Sequence, residues 1–281
     1  MKVLSFRDFD AIYHKAVRGM LARWTREMQV EIATHSRGWS PELFDFKHYL
    51  EASSIRFYKA YRSFAVEDDR QKICDVGGLY GVFPLTLKAI GYDVTMTEAL
   101  KYYGDSFADL FKFIAEQGVK IADYDPFEPG AALADQFDVI TVMAVIEHYP
   151  HSLKVFMENL IALMKPGGKI YLEVPNIAYL PKRLKFLLGR TPQTDIQDIF
   201  HSKVPFIGHH HEFTIRELRD LARLSGLSIV SENFFNYSVA GQPLPKRLLK
   251  NSVLLPISAL LKDSRECIGI LCELNRLQAD D

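Results

Sequence analysis

Cysteine is scarce in this chain: the three present, Cys74, Cys267 and Cys272, form no even set and no C-x-x-C spacing. A disulfide framework and a zinc ribbon are thereby excluded, and all three read as reduced, small apolar residues. No apolar run approaches the roughly 20 residues of a membrane span, and the opening MKVLSFRDFDAIYHK interrupts with charges the stretch a signal peptide would need. The expected location is cytoplasmic. Charge of one sign is missing too: 34 Lys and Arg against 35 Asp and Glu leave a net charge of −1, so no overall field draws the protein to nucleic acid. Internal repeats and low-complexity tracts are absent.

What remains is a globular composition. The 281 residues are 48% hydrophobic and 25% charged, enough for one sizeable core with a smaller appendage. Residues 1–66 read as helices, with apolar positions at helical spacing through FDAIYHKAVRGMLARWTREMQVEIA. Ser40 before Pro41 and Glu42 is a candidate N-cap for a second helix through SPELFDFKHYLEASSIRFYKAYRSF. This N-terminal cap is either a layer on the core or a lid over a site.

From residue 67 onward strands alternate with helices. KICDVG, YDVTMTE, VKIADY, FDVITVMAVI and KIYLEVP read as strands, and VFPLTLKAIG, YYGDSFADLFKFIAEQG and HSLKVFMENLIALM as helices, the last stopped by a KPGG turn. That rhythm predicts an α/β fold, a mostly parallel sheet with helices on both faces. An insertion follows at 176–208, then TIRELRDLARLSGL, where Thr214 and Glu217 make a capping box. SIVSENFFNY and ECIGILCEL read as the last strands, separated by an excursion at 237–264.

In an open parallel sheet, ligands sit outside the carboxyl ends of the strands, where the strand order reverses. The turn DVGGLYG follows the first strand, and glycines there let the backbone turn tightly and approach a ligand. Glu98 ends the second strand, where a carboxylate accepts from ribose hydroxyls. Asp123 ends the third, at the expected adenine edge, with Tyr124 beside it to pack on the ring.

Taken in order, DVGGLYG, TE, IADYD, FDVITVMAVIEH and LMKPGGKIYLEVPN resemble the class I S-adenosylmethionine-dependent methyltransferases, closely over residues 72 to about 176 and more loosely over 209–236. The family turn reads D/E-x-G-x-G-x-G. Asp75, Gly77 and Gly81 match, while the middle glycine is displaced to Gly78 and Leu79 takes its place. The resemblance implies a Rossmann-like seven-stranded sheet in the order 3-2-1-4-5-7-6 with the last strand antiparallel, and S-adenosylmethionine as cofactor. It implies further that Asp75 and Gly77 lie near the methionine portion, Glu98 on the ribose, Asp123 on the adenine, and Ala144 at the methionine end.

Methyl transfer to a hydroxyl is helped by a general base near the methyl group, and histidine suits neutral pH. His148 in IEHYPH is the first candidate, with Glu147 orienting it or binding substrate; His151 reads as structural. In GHHHEF, His211 or His209 is expected to touch substrate. Three consecutive histidines with Glu212 do not converge on one ion if the segment is extended, so no metal is expected there.

PKRLK with Arg190, and PKRLLK at 245–250, are basic clusters outside the sheet; with SVLLPISALL they suggest an anionic acceptor and peripheral membrane contact. Residues 176–226 bear a loose resemblance to methyltransferases of cell-surface glycan synthesis. The expected activity is O-methylation of a small molecule, glycan or lipid-linked glycan. Two alternatives stand beside it. One is an NAD-dependent oxidoreductase, against which speak the glycine order and the lack of Tyr-x-x-x-Lys at the fifth strand; the other is a methyltransferase-fold protein that binds without turnover, suggested by Leu79.

Overall fold

The computed structural model describes residues 2–33, 45–67, 70–150, 152–202, 206, 208–238 and 260–275. Seven strands, β1 (Lys72–Val76), β2 (Asp93–Glu98), β3 (Lys120–Asp123), β4 (Phe137–Met143), β5 (Met164–Pro175), β6 (Leu227–Phe235) and β7 (Cys267–Leu274), form one sheet in the order β3-β2-β1-β4-β5-β7-β6. The first five pair in parallel, while β7 runs antiparallel to both β5 and β6. Strand order and the antiparallel last strand agree with the sequence reading.

Ten α-helices are present among the described residues: α1 (Phe6–Leu21), α2 (Arg26–Ala33), α3 (Phe46–Ala52), α4 (Ser54–Phe64), α5 (Val82–Ile90), α6 (Ala108–Glu116), α7 (Leu153–Ala162), α8 (Leu180–Leu187), α9 (Ile196–His201) and α10 (Ile215–Leu224). Strand side chains alternate between the faces, as the period of two requires. Ile73, Tyr171 and Leu271 join the cluster built with α1, α4, α5 and α6; Cys74, Leu172 and Cys272 join the one built with α7 and α10. All three cysteines are buried and free.

The N-terminal helices therefore share a core with the sheet. Phe9, Tyr13 and Met20 of α1 and Tyr61 and Phe64 of α4 are fully or almost fully buried in the same cluster as Val94 and Val139. A buried ion pair fastens this layer: Arg56 of α4 donates to Glu173 Oε2 of β5 from Nε at 2.8 Å and from Nη2 at 2.5 Å.

Several boundaries differ from the sequence reading, each for a local reason. The first long helix divides because Thr25 restarts it, its hydroxyl accepting from the Met28 amide at 3.2 Å. The second divides at Ser53 and Ser54, whose hydroxyls donate to the Tyr49 carbonyl at 2.7 Å and to Asp10 Oδ1 at 2.5 Å. The segment before α6 is two 3-10 turns, Leu100–Tyr102 and Asp105–Phe107. The KPGG turn lies inside β5, as an irregularity in its register with β4. The Ser40 cap, His151, the 245–250 cluster and most of SVLLPISALL lie outside the described residues.

Candidate functional site

The carboxyl ends of β1, β2, β3 and β4 stand level, with Val76 beside Thr97 and Val142, and Glu98 beside Asp123. The strand order reverses between β1 and β4, and a cavity of about 570 Å³ opens there. Gly77, Leu79, Glu98, Tyr124, Ala144 and His148 line it. So do Glu31 and Ile32 of α2, and Thr194, Asp198 and His209 from the far side. The two readings of the N-terminus thus apply to different parts of it: α1 and α4 are a layer on the sheet, and the end of α2 roofs the cavity.

Glu98 is buried, with one carboxylate oxygen accepting from the Leu79 amide and the other from the Tyr103 hydroxyl at 2.8 Å. Burial pushes its pKa up to about 7, against the pull of those two donors. Asp75 lies beneath the cavity floor, where Thr141 Oγ1 donates to it at 2.5 Å, and burial raises it to about 7 as well.

Gly77 has φ of 68°, and a Cβ there would stand 2.8 Å from Val145 Cγ2. At Gly78 a Cβ would stand 2.6 Å from Met96 Cγ, and Gly81 abuts Ile114. These last two permit close packing beneath the cavity and do not line it.

Two non-glycine residues with positive φ among those described are Leu79 at 38° and Ala144 at 56°, and both line the cavity. Left-handed backbone in an L-residue costs roughly 1–2 kcal/mol, and such strain clusters at functional sites. Ala144 is held there by its amide, which donates to the Glu173 carbonyl at 2.8 Å.

Besides Asp75, Gly78 and Gly81, which were expected at the cofactor and lie beneath the cavity, three further expected positions differ. Asp123 is exposed and accepts from the Leu100 amide at 2.9 Å, capping the 3-10 turn; Asp125, two residues on, lines the cavity in its place. His211 does not face the cavity: its Nε2 meets Glu217 Oε1 at 3.0 Å at the start of α10. His209 faces the cavity, because the His210 and His211 amides both donate to the Glu147 carbonyl, at 2.7 and 3.3 Å, and curl a segment read as extended. Glu147 is fully buried, its carboxyl raised by burial to about 8, and does not line the cavity.

Around the histidines the contacts are close. The rings of His148 and His209 meet edge to face with centroids 4.7 Å apart. His209 Nδ1 pairs with Glu212 Oε1 at 2.9 Å, and Lys182 pairs with the other oxygen. Despite burial, these partners hold Glu212 below its ordinary pKa.

Sequence reasoning missed Tyr102, Tyr103 and Phe107, which line the cavity beside Glu98. The signal was present in TEALKYYG, where two aromatics follow the acidic strand end. Glu31 had no such signal, since it reaches the site from a distant helix to accept from Ser106 Oγ at 2.6 Å. S-adenosylmethionine fits these groups: a buried carboxylate for a diol, a glycine backbone for close approach, and aromatic walls for an adenine ring.

A family model described as a methyltransferase domain matches residues 46–232. Among curated proteins none matches the chain. Solved structures share the fold. One is an S-adenosylmethionine-dependent methyltransferase from Thermotoga maritima, 12% identical, covering 82% of this chain and 94% of that one with a TM-score of 0.52. A protein from Pyrococcus horikoshii is 15% identical over 86% of this chain and 96% of its own, at 0.50. The glycopeptide N-methyltransferase MtfA, in complex with S-adenosylhomocysteine, is 14% identical over 80% and 89%, also at 0.50.

Proposed function

The chain belongs to the methyltransferase-domain family, and from that premise we propose that the cavity binds S-adenosylmethionine and transfers its methyl group to a hydroxyl of a small molecule, glycan or lipid-linked glycan. The observation that carries this reading is the convergence of Gly77, Glu98, Tyr124 and Ala144 with His148 and His209 on one cavity. Glu98 binds the ribose hydroxyls, Asp125 takes the adenine edge given to Asp123 in the sequence reading, and Gly77 and Ala144 flank the methionine portion. The family match leaves no support for an NAD-dependent oxidoreductase.

The bound donor supplies an electrophilic methyl carbon on a sulfonium, and catalysis is mostly positioning. The imidazole wall faces the acceptor, and His148 receives the proton of its hydroxyl. Asp75 supports the turn from below without touching ligand.

The finer reading of the acceptor rests on the surface of α8 and α9. Phe186, Leu187, Leu188, Ile196 and Phe200 are each 70% or more exposed, with Lys185 and Arg190 beside them also exposed. Exposed apolar side chains flanked by cations suit the surface of an anionic bilayer, and the same segment lines the cavity through Thr194 and Asp198.

The test is transfer of labelled methyl groups from S-adenosylmethionine into cell extract fractionated as glycans, lipids, proteins and small metabolites. Label is expected in the glycan, lipid or small-metabolite fraction, base-stable as an ether. Label in protein alone, or none in any fraction with the donor bound, would overturn the reading, the second result favouring a binding protein without turnover.

A further inference from the structure

We infer that Glu147, His148 and His209 form a site for one divalent transition-metal ion at the wall of the cavity. One carboxylate oxygen and two imidazole nitrogens, one from each residue, lie within 4.8 Å of one another. They come from the turn after β4 and the loop before α10, segments joined by the bonds from the His210 and His211 amides to the Glu147 carbonyl. Two ligands on one ion at about 2.1 Å stand at most about 4.2 Å apart, close to the spread of these three atoms, so a small convergence of side chains lets one ion take all three.

Glu147 supplies an independent mark. Its side chain is fully buried, yet neither carboxylate oxygen has a hydrogen-bond partner. Buried carboxylates are normally paired or coordinate a metal, and the nearby guanidinium of Arg56 is engaged by Glu173. A cation between Glu147 and the two imidazoles satisfies it.

His209 is also held as a ligand is. With Nδ1 donating to Glu212, its Nε2 carries the free lone pair, and Glu212 is itself fixed by Lys182. A carboxylate behind a ligating histidine sets the tautomer and ring orientation at metal sites. Two imidazoles with one carboxylate favour an ion such as zinc or manganese over magnesium or calcium, which take oxygen ligands.

Three protein ligands leave positions open, and His148 and His209 both face the cavity. What the ion does there rests on the methyl-transfer reading, whereas its binding does not. An acceptor hydroxyl on an open position ionises and gives its proton to solvent. Its oxygen then forms the bond to the methyl carbon as the carbon–sulfur bond breaks, and neutral S-adenosylhomocysteine departs. In this arrangement His148 is a ligand, and the ion takes over from it as the group that makes the nucleophile.

The test is equilibrium dialysis of the metal-stripped chain against zinc, manganese or magnesium alone, read by elemental analysis, with calorimetry of S-adenosylhomocysteine alongside. One zinc or manganese per chain and no retained magnesium is expected. His209→Ala and Glu147→Gln should weaken uptake at least about 100-fold, and Glu212→Gln about 10-fold to 100-fold, whereas a His210→Ala/His211→Ala double variant should retain the ion. Cobalt in the unmutated chain should give a visible absorption band, which needs no variant to fold. No uptake by the unmutated chain, or equal uptake after His209→Ala, overturns the site. Lost S-adenosylhomocysteine binding with metal uptake intact would instead overturn the methyl-donor reading and leave the metal site standing.

Discussion

Glu98 sits where two demands meet, because it is buried and yet must accept hydrogen bonds as an anion. With a pKa near 7 it is about half protonated at neutral pH in the free protein. A diol donates to the ionised form, so S-adenosylhomocysteine affinity should rise as pH is raised through 7 and fall below it, as calorimetry from pH 6 to 8 would read. Glu98→Ala should weaken binding about 100-fold, from the loss of hydrogen bonds to a charged group at about 1.5–3 kcal/mol each. Leu79 carries a strained backbone at φ 38° while its amide donates to Glu98, so the displaced glycine of the turn is no gap in the motif's hydrogen bonding. Ala144 provides a cleaner test of strain. Ala144→Gly should hold or raise thermal stability, by up to about 1 kcal/mol, whereas Gly77→Ala should lower it, because a Cβ there meets Val145. Glu98 was legible because it ends a strand, Gly77 because it belongs to the glycine turn that follows one, and Ala144 through the family resemblance. Asp125 was not, nor was the choice of His209 over His211, because a cap at Asp123 and a curled loop at 209–211 decide which side chain faces inward.

At the scale of elements, the strands were legible and the helix breaks were not. A strand such as FDVITVM is a mostly apolar run, buried except at Asp138 and Met143, and reads as a core strand. A break at Thr25 or Ser54 depends on one hydroxyl finding a backbone or side-chain partner. Arg56 shows a further limit: nothing in SSIRFYKAY reveals that its cation is buried against Glu173, 117 positions later. Replacing Arg56 by Met should cost about 3–5 kcal/mol, since it leaves a buried carboxylate without its cation. The double replacement Arg56→Met with Glu173→Leu should recover most of that loss. Chemical denaturation of the single and double variants measures both, and a double variant no more stable than Arg56→Met would show that the pair is not what fastens α4 to β5.

Across the whole molecule, the ligand site is laid over buried acids. Asp75 and Glu98 have folded pKa values near 7, above their unfolded values of about 4. Protonation therefore favours the folded state, and the stability these groups contribute is full below pH 4 and lost as pH rises through 7. The lowered acids Glu212 and Glu217 stay ionised throughout the range 6 to 8 and do not offset this. The stability of the ligand-free protein should accordingly fall as pH is raised from 6 through 7, by no more than about 1.4 kcal/mol per group per pH unit, with the contribution of these two groups levelling off towards pH 8, and a falling melting temperature reads it. No described helix is long and apolar enough to cross a membrane, but the α8 and α9 surface should sediment with anionic vesicles and not with neutral ones, and Phe186→Ser with Phe200→Ser should release it. The central claim is that the crevice between β1 and β4 holds a methyl donor. Calorimetry of the unmutated chain with S-adenosylhomocysteine and, separately, with NAD tests it most directly: one site of micromolar affinity for the first and none for the second is predicted, and binding of NAD, or of neither, would contradict it.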